Sequence, residues 1–329
     1  MKVLVLRFSS IGDIVLTSPV LRCIRQQVPG VELHVATKRA FADLVRHNPH
    51  VHRVHELDDD LPRLVRDLKA EGFDRIVDLH HNLRTARIKR ALGVKAGSFP
   101  KLNIEKWLLV NLKVDRLPRM HVVDRYMGTV ADLGVRNDGQ GLELFIPPEH
   151  EVAPERLPPG HAAGYVALAI GAAHATKRLP PHRLIELARL IPGPLVLVGG
   201  AEDRAVARAI ANEVGARAYD ATGRYGILGS ASLIARARAV VAHDSGAMHI
   251  AAAFQRPVVS VWGNTVPAFG MGPYIPLHPE RAHLAEVKGL PCRPCSKIGH
   301  DRCPQGHFRC MERQDLRAIA ALVTPGTTP

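Results

Sequence analysis

Residues 2–19, K-V-L-V-L-R-F-S-S-I-G-D-I-V-L-T-S-P, carry the pattern on which the predicted fold depends most. The apolar run Lys2–Leu6 is typical of a strand buried in a parallel sheet, and the I-V-L run of residues 14–16 begins the apolar stripe of a following helix. In α/β domains, such a strand-to-helix turn lies at the edge of the sheet where ligands bind. We therefore predict that Asp13 faces an active-site cleft. The alternative is that Ser10 or Asp13 only caps the helix.

The alternation of apolar runs with helical patterns continues along the chain. It predicts βαβ units with parallel sheets. A proline-rich stretch interrupts it, because proline neither continues a helix nor pairs within a sheet. We predict an α/β protein of two Rossmann-like, doubly wound domains that face each other across a cleft. Their bounds are residues 1–150 and 164–329, joined by a Pro-rich linker at 151–163. No G-x-G-x-x-G follows the first strand, which disfavours a dinucleotide-dependent dehydrogenase.

Length and composition fit two soluble domains. The chain has 329 residues, of which 46% are hydrophobic, enough to bury two cores. No run of 18 uncharged apolar residues occurs, and Asp13 interrupts what would be the apolar part of a signal peptide. The expected location is the cytoplasm.

The net charge of +13 is unevenly distributed. Between Asp78 and Glu105 every charged residue is basic, namely Arg84, Arg87, Lys89, Arg90, Lys95 and Lys101. This positive field could bind a nucleic acid, anionic lipid head groups, or a phosphorylated or carboxylated substrate. The alternative is a basic face that is solvated and binds no partner. Aromatic residues make up only 5%, which argues against the stacking platforms of a single-strand-binding protein.

A second constellation, H-D-S-G-A-M-H at residues 243–249, follows an apolar run and opens a helix. Free N–H groups and the helix dipole at such a helix start form a seat for an anion. The residues available to that seat are Asp244, Ser245, Gly246 and His249, although the histidine could instead be structural. The next strand ends in W-G-N-T-V-P, a loop that could wrap a flat or polyhydroxylated ligand and that contains Asn264 and Thr265.

Two further loops of the same half carry charge. The stretch G-A-A-H-A-T-K-R-L-P at residues 171–180 places Lys177 and Arg178 where they could neutralise a diphosphate. In G-G-A-E-D, Glu202 or Asp203 could accept hydrogen bonds from ribose hydroxyls, or could cap the following helix.

In this order, S-S-I-G-D, G-A-x-x-x-x-K-R-x-P, and D-S-G-A-M-H with its G-N-T-x-P loop resemble the family-nine glycosyltransferases, typified by ADP-heptose:lipopolysaccharide heptosyltransferases. The resemblance covers nearly the whole chain. It implies a GT-B fold, an amino-terminal acceptor domain, a carboxyl-terminal nucleotide-sugar donor domain, and an inverting transfer without a metal ion. The expected reaction moves heptose from ADP-heptose to an anionic acceptor of the lipopolysaccharide-core type. Alternatives are a sugar-nucleotide epimerase of similar fold and a basic nucleic-acid-binding protein.

The resemblance also implies roles for individual residues. Asp13 matches the general base, and Lys177 matches the lysine that contacts the donor diphosphate. The expected donor-binding residues are Lys177, Glu202, Asp203, Asp244, Ser245, Gly246, His249, Asn264 and Thr265. An anionic lipid-linked saccharide, reached by peripheral contact with the inner membrane surface, is expected to meet Ser10, Gly12, Asn82, Arg84 and Arg87. Where some heptosyltransferases carry hydroxyl residues, this chain has Ala172 and Ala173. This difference removes two possible hydrogen-bond donors to phosphate, so the identity of the donor stays open.

Four of the five cysteines lie in residues 292–310, with the spacing C-x2-C-x7-C-x6-C. They are Cys292, Cys295, Cys303 and Cys310. In a reducing cytoplasm such a cluster favours a structural zinc over disulfides; reduced thiols and disulfides remain the alternatives. The catalytic scheme requires no cofactor.

Overall fold

The computed structural model of the chain describes residues 1–324 and contains two compact units. The first comprises Met1–Lys101 and Met120–Phe145, and the second comprises Leu102–Arg119 and the chain from Ile146 onward. The sequence did not predict that residues 102–119 leave the first unit and pack with the second. Within the described residues, no helix is both long and apolar enough to cross a bilayer.

Strands and helices alternate through most of the chain. The strands are β1 (Lys2–Leu6), β2 (Glu32–Lys38), β3 (Arg53–Leu57), β4 (Arg75–Asp78), β5 (Lys95–Ser98), β6 (Val166–Ala169), β7 (Leu195–Val198), β8 (Ala218–Asp220), β9 (Ala239–His243), β10 (Val258–Trp262) and β11 (Ala282–Glu286). The α-helices are α1 (Ile11–Val15), α2 (Ser18–Gln27), α3 (Asp43–Arg46), α4 (Leu61–Glu71), α5 (Leu83–Leu92), α6 (Asn103–Trp107), α7 (Val122–Met127), α8 (Pro181–Leu190), α9 (Arg204–Val214), α10 (Ile227–Arg236), α11 (Gly246–Ala253), α12 (Arg309–Glu312) and α13 (Leu316–Val323).

The first unit is built on a parallel sheet with strand order β3-β2-β1-β4-β5. The central strand β1 is fully buried from Val3 to Leu6, as its unbroken apolar sequence predicts for a strand covered on both faces. The strand order reverses between β1 and β4, where Leu6 pairs with Asp78. Ligands of doubly wound folds bind at this switch point, so the loops after β1 and β4 define the candidate site of the first unit.

The second unit repeats the design with the order β11-β10-β9-β6-β7-β8, again parallel throughout. The order reverses between β6 and β9, where Ala169 pairs with Ala242. The loops that leave these two strands contain Lys177 and Asp244, so the same topological rule brings them to one edge. Both sheets confirm the predicted α/β fold class of two Rossmann-like units.

Two local features of the structure are not evident from sequence patterns. After β2 the chain forms a 3₁₀ turn, Arg39–Phe41, followed by the short α3. The Pro-rich stretch at residues 151–163, expected to be a linker, belongs to the second unit, where Val152 is buried and donates its N–H to Ser232 Oγ at 2.9 Å. Composition alone does not show such burial.

Candidate active site

The loop after β1 holds Asp13 in the first turn of α1. Its Oδ1 lies 2.7 Å from Nη2 of Arg7, and its Oδ2 accepts hydrogen bonds from the Ser10 hydroxyl at 2.8 Å and the Ser10 N–H at 3.2 Å. The side chain is 24% exposed. Asp13 therefore completes a capping box with Ser10 and also keeps part of its carboxylate exposed, while its place in an active-site cleft stays a prediction.

Arg7 is a functional candidate that the sequence analysis missed. Its guanidinium is buried and donates to the Leu79 carbonyl, to the Tyr126 hydroxyl at 3.0 Å and to the Ser9 carbonyl at 2.8 Å. Burial by itself would lower the pKa of Arg7, but neighbouring Tyr126 and Asp13 raise it. Arg7 is thus a fixed positive charge that orients the carboxylate of Asp13. The available signal was a charged residue directly after an apolar strand.

The turn after β4 is organised by Asp78, which is fully buried. Its carboxylate accepts the N–H groups of His80 at 3.1 Å and His81 at 2.7 Å, and pairs with Lys89 Nζ at 2.8 Å. Burial would raise the pKa of Asp78, but Lys89 and the His81 N–H lower it. An ionised, hydrogen-bonded carboxylate therefore fixes the turn that leads into α5.

The predicted acceptor residues take different positions. Asn82 caps α5 by accepting the Thr85 N–H at 3.0 Å, so its amide oxygen is engaged locally. Arg84 places its guanidinium carbon 5.3 Å from the centre of the Phe8 ring, which brings it to the loop that carries Asp13. Arg87 is exposed on α5, and Gly12 is buried in α1. Of the two arginines predicted to bind the acceptor, Arg84 is therefore the one with a contact to the loop after β1.

In the second unit, Lys177 and Asp244 form an ion pair of 2.7 Å between Nζ and Oδ2. Thr265 donates its hydroxyl to the same carboxylate oxygen at 2.7 Å. The Lys177 and Asp244 side chains are 16% and 11% exposed, so the pair is largely shielded from water. The structure thus brings together three residues that are spread over nearly ninety positions of the sequence.

The same edge carries the amino terminus of α11. Ser245 is its N-cap residue, yet its side chain makes no capping hydrogen bond, and among residues 1–324 its buried Oγ has no hydrogen-bond partner. Gly246 is the first residue of the helix, and His249 is buried one turn later. A free hydroxyl beside the exposed N–H groups of a helix start is an arrangement suited to a phosphate oxygen.

The turn that carries Lys177 is held from two sides. His243 Nε2 accepts the Leu179 N–H at 2.9 Å, and burial lowers the pKa of His243 to about 4, so the ring is a neutral acceptor at pH 7. The His300 carbonyl accepts the Thr176 N–H at 3.1 Å. A Cβ at Gly263 would lie 2.6 Å from the Thr176 carbonyl oxygen, so only glycine permits this close approach. The sequence did not reveal these contacts.

The two acidic residues predicted to bind the donor after β7, Glu202 and Asp203, differ in their burial. Asp203 is 4% exposed, accepts the Gly200 N–H at 2.9 Å and pairs with Arg178 at 3.0 Å, although burial raises its pKa. A Cβ at Gly171 would lie 2.4 Å from the Asp203 carboxylate, which shows how tightly this residue is enclosed. Glu202 is exposed and is the better placed of the two for a ligand.

The four predicted zinc ligands line one small cavity and are all free thiols. Burial raises the pKa of Cys295, and that of Cys310 to about 11. Asn264, expected at the donor, lies against this cavity at 1% exposure, and its amide atoms have no hydrogen-bond partner within the described chain. Within the described residues, the one group of three or more potential metal ligands whose ligand atoms lie within 4.8 Å of one another is His34, His55 and Glu71. The four cysteines do not form such a group. A zinc at the cysteines stays a prediction.

Comparison with known proteins gives consistent matches. The sequence model of glycosyltransferase family 9 (heptosyltransferase) matches residues 61–300. Lipopolysaccharide heptosyltransferase 1 of Pseudomonas aeruginosa is 27% identical, with 90% of this chain and 86% of that protein covered. The structure resembles the ADP-heptose lipopolysaccharide heptosyltransferase II of Escherichia coli, with a TM-score of 0.67, 21% identity, and 97% and 99% of the two chains covered. It also resembles an E. coli heptosyltransferase with ADP-2-deoxy-2-fluoro heptose, with a TM-score of 0.62, 22% identity, and 81% and 90% covered.

Proposed function

Because this chain belongs to glycosyltransferase family 9 and is a glycosyltransferase with a GT-B fold, we propose that it transfers heptose from ADP-heptose to an anionic, lipid-linked saccharide. The proposed acceptor is of the lipopolysaccharide-core type. The names of the relatives support this choice, since they include lipopolysaccharide heptosyltransferases and an enzyme with an ADP-heptose analogue. Membership in this family disfavours the epimerase and nucleic-acid alternatives.

One observation carries the proposal, namely the unsatisfied Ser245 hydroxyl at the start of α11. Buried hydroxyls normally have hydrogen-bond partners, and an N-cap serine normally uses its own helix. Here the hydroxyl has no such partner within residues 1–324. It belongs to the same switch-point edge as the Lys177 ammonium. A diphosphate would satisfy the hydroxyl and the first N–H groups of α11, and would accept a hydrogen bond from Lys177.

In the proposed mechanism, the acceptor hydroxyl oxygen attacks the anomeric carbon of the donor sugar as the bond from that carbon to the diphosphate oxygen breaks. Asp13 accepts the hydroxyl proton as general base. The nucleotide diphosphate leaves with the bonding electrons, and attack opposite the leaving group inverts the anomeric centre. Lys177 and the amino terminus of α11 stabilise the negative charge that develops on the diphosphate. This scheme assigns no step to a metal ion.

The remaining predicted residues complete this assignment. Asp244, held by Thr265, keeps the Lys177 ammonium in place before the donor arrives. Glu202 contacts the ribose, while Asp203 with Arg178 supports the loop. His249 and Gly246 belong to the donor helix. Ser10 and Gly12 shape the loop that offers Asp13 to the acceptor, and the basic run through Arg84 and Arg87 attracts the anionic saccharide at the cytoplasmic face of the inner membrane.

Donor identity is tested by thermal shift with ADP-, UDP-, GDP- and CMP-sugars. A ligand that binds the folded protein raises Tm by mass action, by an amount equivalent to about 2.7 kcal/mol at a hundred times its Kd. We expect ADP-heptose to give the largest increase and to support transfer to a lipid-linked core acceptor. A larger increase with a UDP-, GDP- or CMP-sugar would contradict the ADP-heptose assignment.

Acceptor recognition is tested with Arg84→Ala and Arg87→Ala. Removing either guanidinium weakens the attraction for an anionic saccharide, and we expect the acceptor KM to rise by roughly tenfold with kcat and donor Kd little changed. Steady-state kinetics with the acceptor varied measures this. The control is Arg25→Ala, since Arg25 is exposed, as Arg87 is, but lies at the carboxyl end of α2, at the opposite edge of the sheet. An unchanged KM in both variants would refute this acceptor surface.

A further inference from the structure

The segment 102–119 carries apolar side chains on two faces of one short helix. Helix α6 continues through a π-helical turn, Leu108–Leu112. Its inner face contributes buried Leu109, which clusters with Leu117 and Phe269. At the end of the helix, Lys113 Nζ donates to the Pro294 carbonyl at 2.7 Å. This face is therefore committed to packing within the second unit.

The opposite face is also apolar, but it is exposed. Ile104 is 74% exposed, Trp107 55% and Leu112 57%, and their spacing of three and five residues, with half-buried Leu108 between, keeps them on one side of the helix. Val114, which follows the helix, is 41% exposed. A surface helix of a globular protein normally turns polar residues outward. A cluster of large, exposed apolar side chains indicates a surface that binds a protein, a membrane or a ligand.

Basic groups border this surface. Lys297 of the cysteine-rich loop reaches Asn103 Oδ1 at 3.4 Å, and its neighbour Ile298 is 57% exposed. Arg116 and Arg119 are exposed after the helix, and Arg119 pairs with Asp115 at 2.9 Å, so Lys297 and Arg116 carry the positive charge of this border. We define the apolar patch as Ile104, Trp107, Leu112, Val114 and Ile298.

We propose that the apolar patch docks on the surface of a bilayer that contains anionic phospholipids. Tryptophan favours the membrane interface because its ring is apolar and its N–H is polar. Apolar groups that enter the headgroup boundary, next to lysine and arginine that meet anionic lipid, are the two elements of interfacial binding. The chain's net charge of +13 acts in the same direction. This inference deepens the proposed function, since it rests on an acceptor that is anchored in a membrane.

Intrinsic fluorescence tests the proposal directly, because the chain has two tryptophans and Trp262 is fully buried. The full chain is titrated with phosphatidylcholine vesicles, with and without phosphatidylglycerol. We expect a blue shift of Trp107 emission only with phosphatidylglycerol, and co-sedimentation in parallel. Ile104→Gln with Trp107→Gln should lower the vesicle partition coefficient by about tenfold or more. Leu322→Gln, which replaces another exposed leucine of the second unit, should bind like the unchanged protein.

Three results would overturn the proposal. They are a lack of binding to phosphatidylglycerol vesicles, equal loss of binding in Leu322→Gln, or a dimer in light scattering that the double variant dissociates without any effect on vesicle binding. The last would assign the patch to a second copy of the chain. Transfer to a lipid-free core saccharide separates this proposal from the enzymatic one. We expect the double variant to retain transfer to the lipid-free saccharide. Failure of that transfer in the unchanged protein would contradict the proposed enzymatic function but not the membrane-docking proposal.

Discussion

Replacing Asp13 with asparagine should lower kcat by about 10²–10⁴-fold, the usual contribution of a general base, while donor affinity stays near its original value. Asparagine has nearly the same shape and can still accept hydrogen bonds from Ser10, but its amide cannot take the proton from the acceptor hydroxyl. Single-turnover transfer assays measure the chemical step, and calorimetry with the nucleotide-sugar measures donor binding. The difference between these two readouts identifies a base.

The control for Asp13→Asn is Asp60→Asn, because Asp60 caps α4 of the same unit by accepting the Arg63 N–H at 2.8 Å. Asparagine caps a helix about as well as aspartate, so Asp60→Asn should leave Tm nearly unchanged, whereas Asp13→Asn also removes the ion pair with buried Arg7 and should lower Tm. Only Asp13→Asn should lose turnover. Wild-type kcat in Asp13→Asn would contradict the assigned role, and equal loss of activity in Asp60→Asn would attribute the effect to folding.

Replacing Lys177 with methionine should lower kcat by about 10²–10³-fold, because an oriented charge that stabilises a leaving group is lost. Donor affinity should fall as well, since the ground-state diphosphate also carries negative charge. The change leaves Asp244 without its partner at 2.7 Å, and this carboxylate then repels the diphosphate. Stopped-flow transfer and nucleotide-sugar titration measure the two effects.

Lys288→Met is the matched control, since Lys288 is an exposed lysine of the same unit outside the candidate site, and we expect near-normal activity. A double-mutant cycle with Asp244→Asn tests whether Lys177 and Asp244 act as one element. The losses should be clearly less than additive, because residues in direct contact share their effect. Full additivity would show that Asp244 does not orient Lys177.

Much of the fold could be predicted from local sequence. The four fully buried residues of β1 are an uninterrupted apolar run, and such a run followed by a polar turn and an amphipathic stripe has few alternatives to a βα unit. The same logic located Asp13 after β1 and Asp244 after β9. It worked because a strand end and the residues that follow it are adjacent in the chain, so the topology of parallel sheets places them at the ligand edge.

Other features depend on contacts between distant residues. Arg7 orients Asp13 only because β4 and α7 bring Leu79 and Tyr126 beside it. Asp203 and Glu202 are indistinguishable in sequence, yet one is enclosed by Gly171 and Arg178 while the other is exposed.

Local sequence is enough to predict the two parallel α/β sheets, the carboxylate at the first switch point and the helix start at the second, because each follows from hydrophobic period and local turn chemistry. Contacts between distant residues pair Lys177 with Asp244, leave the Ser245 hydroxyl without a hydrogen-bond partner within residues 1–324, and turn Trp107 of residues 102–119 outward. The physical reason is that burial and pairing depend on which strands and loops become neighbours. That neighbourhood is set by the packing of the whole chain and not by any short stretch of it.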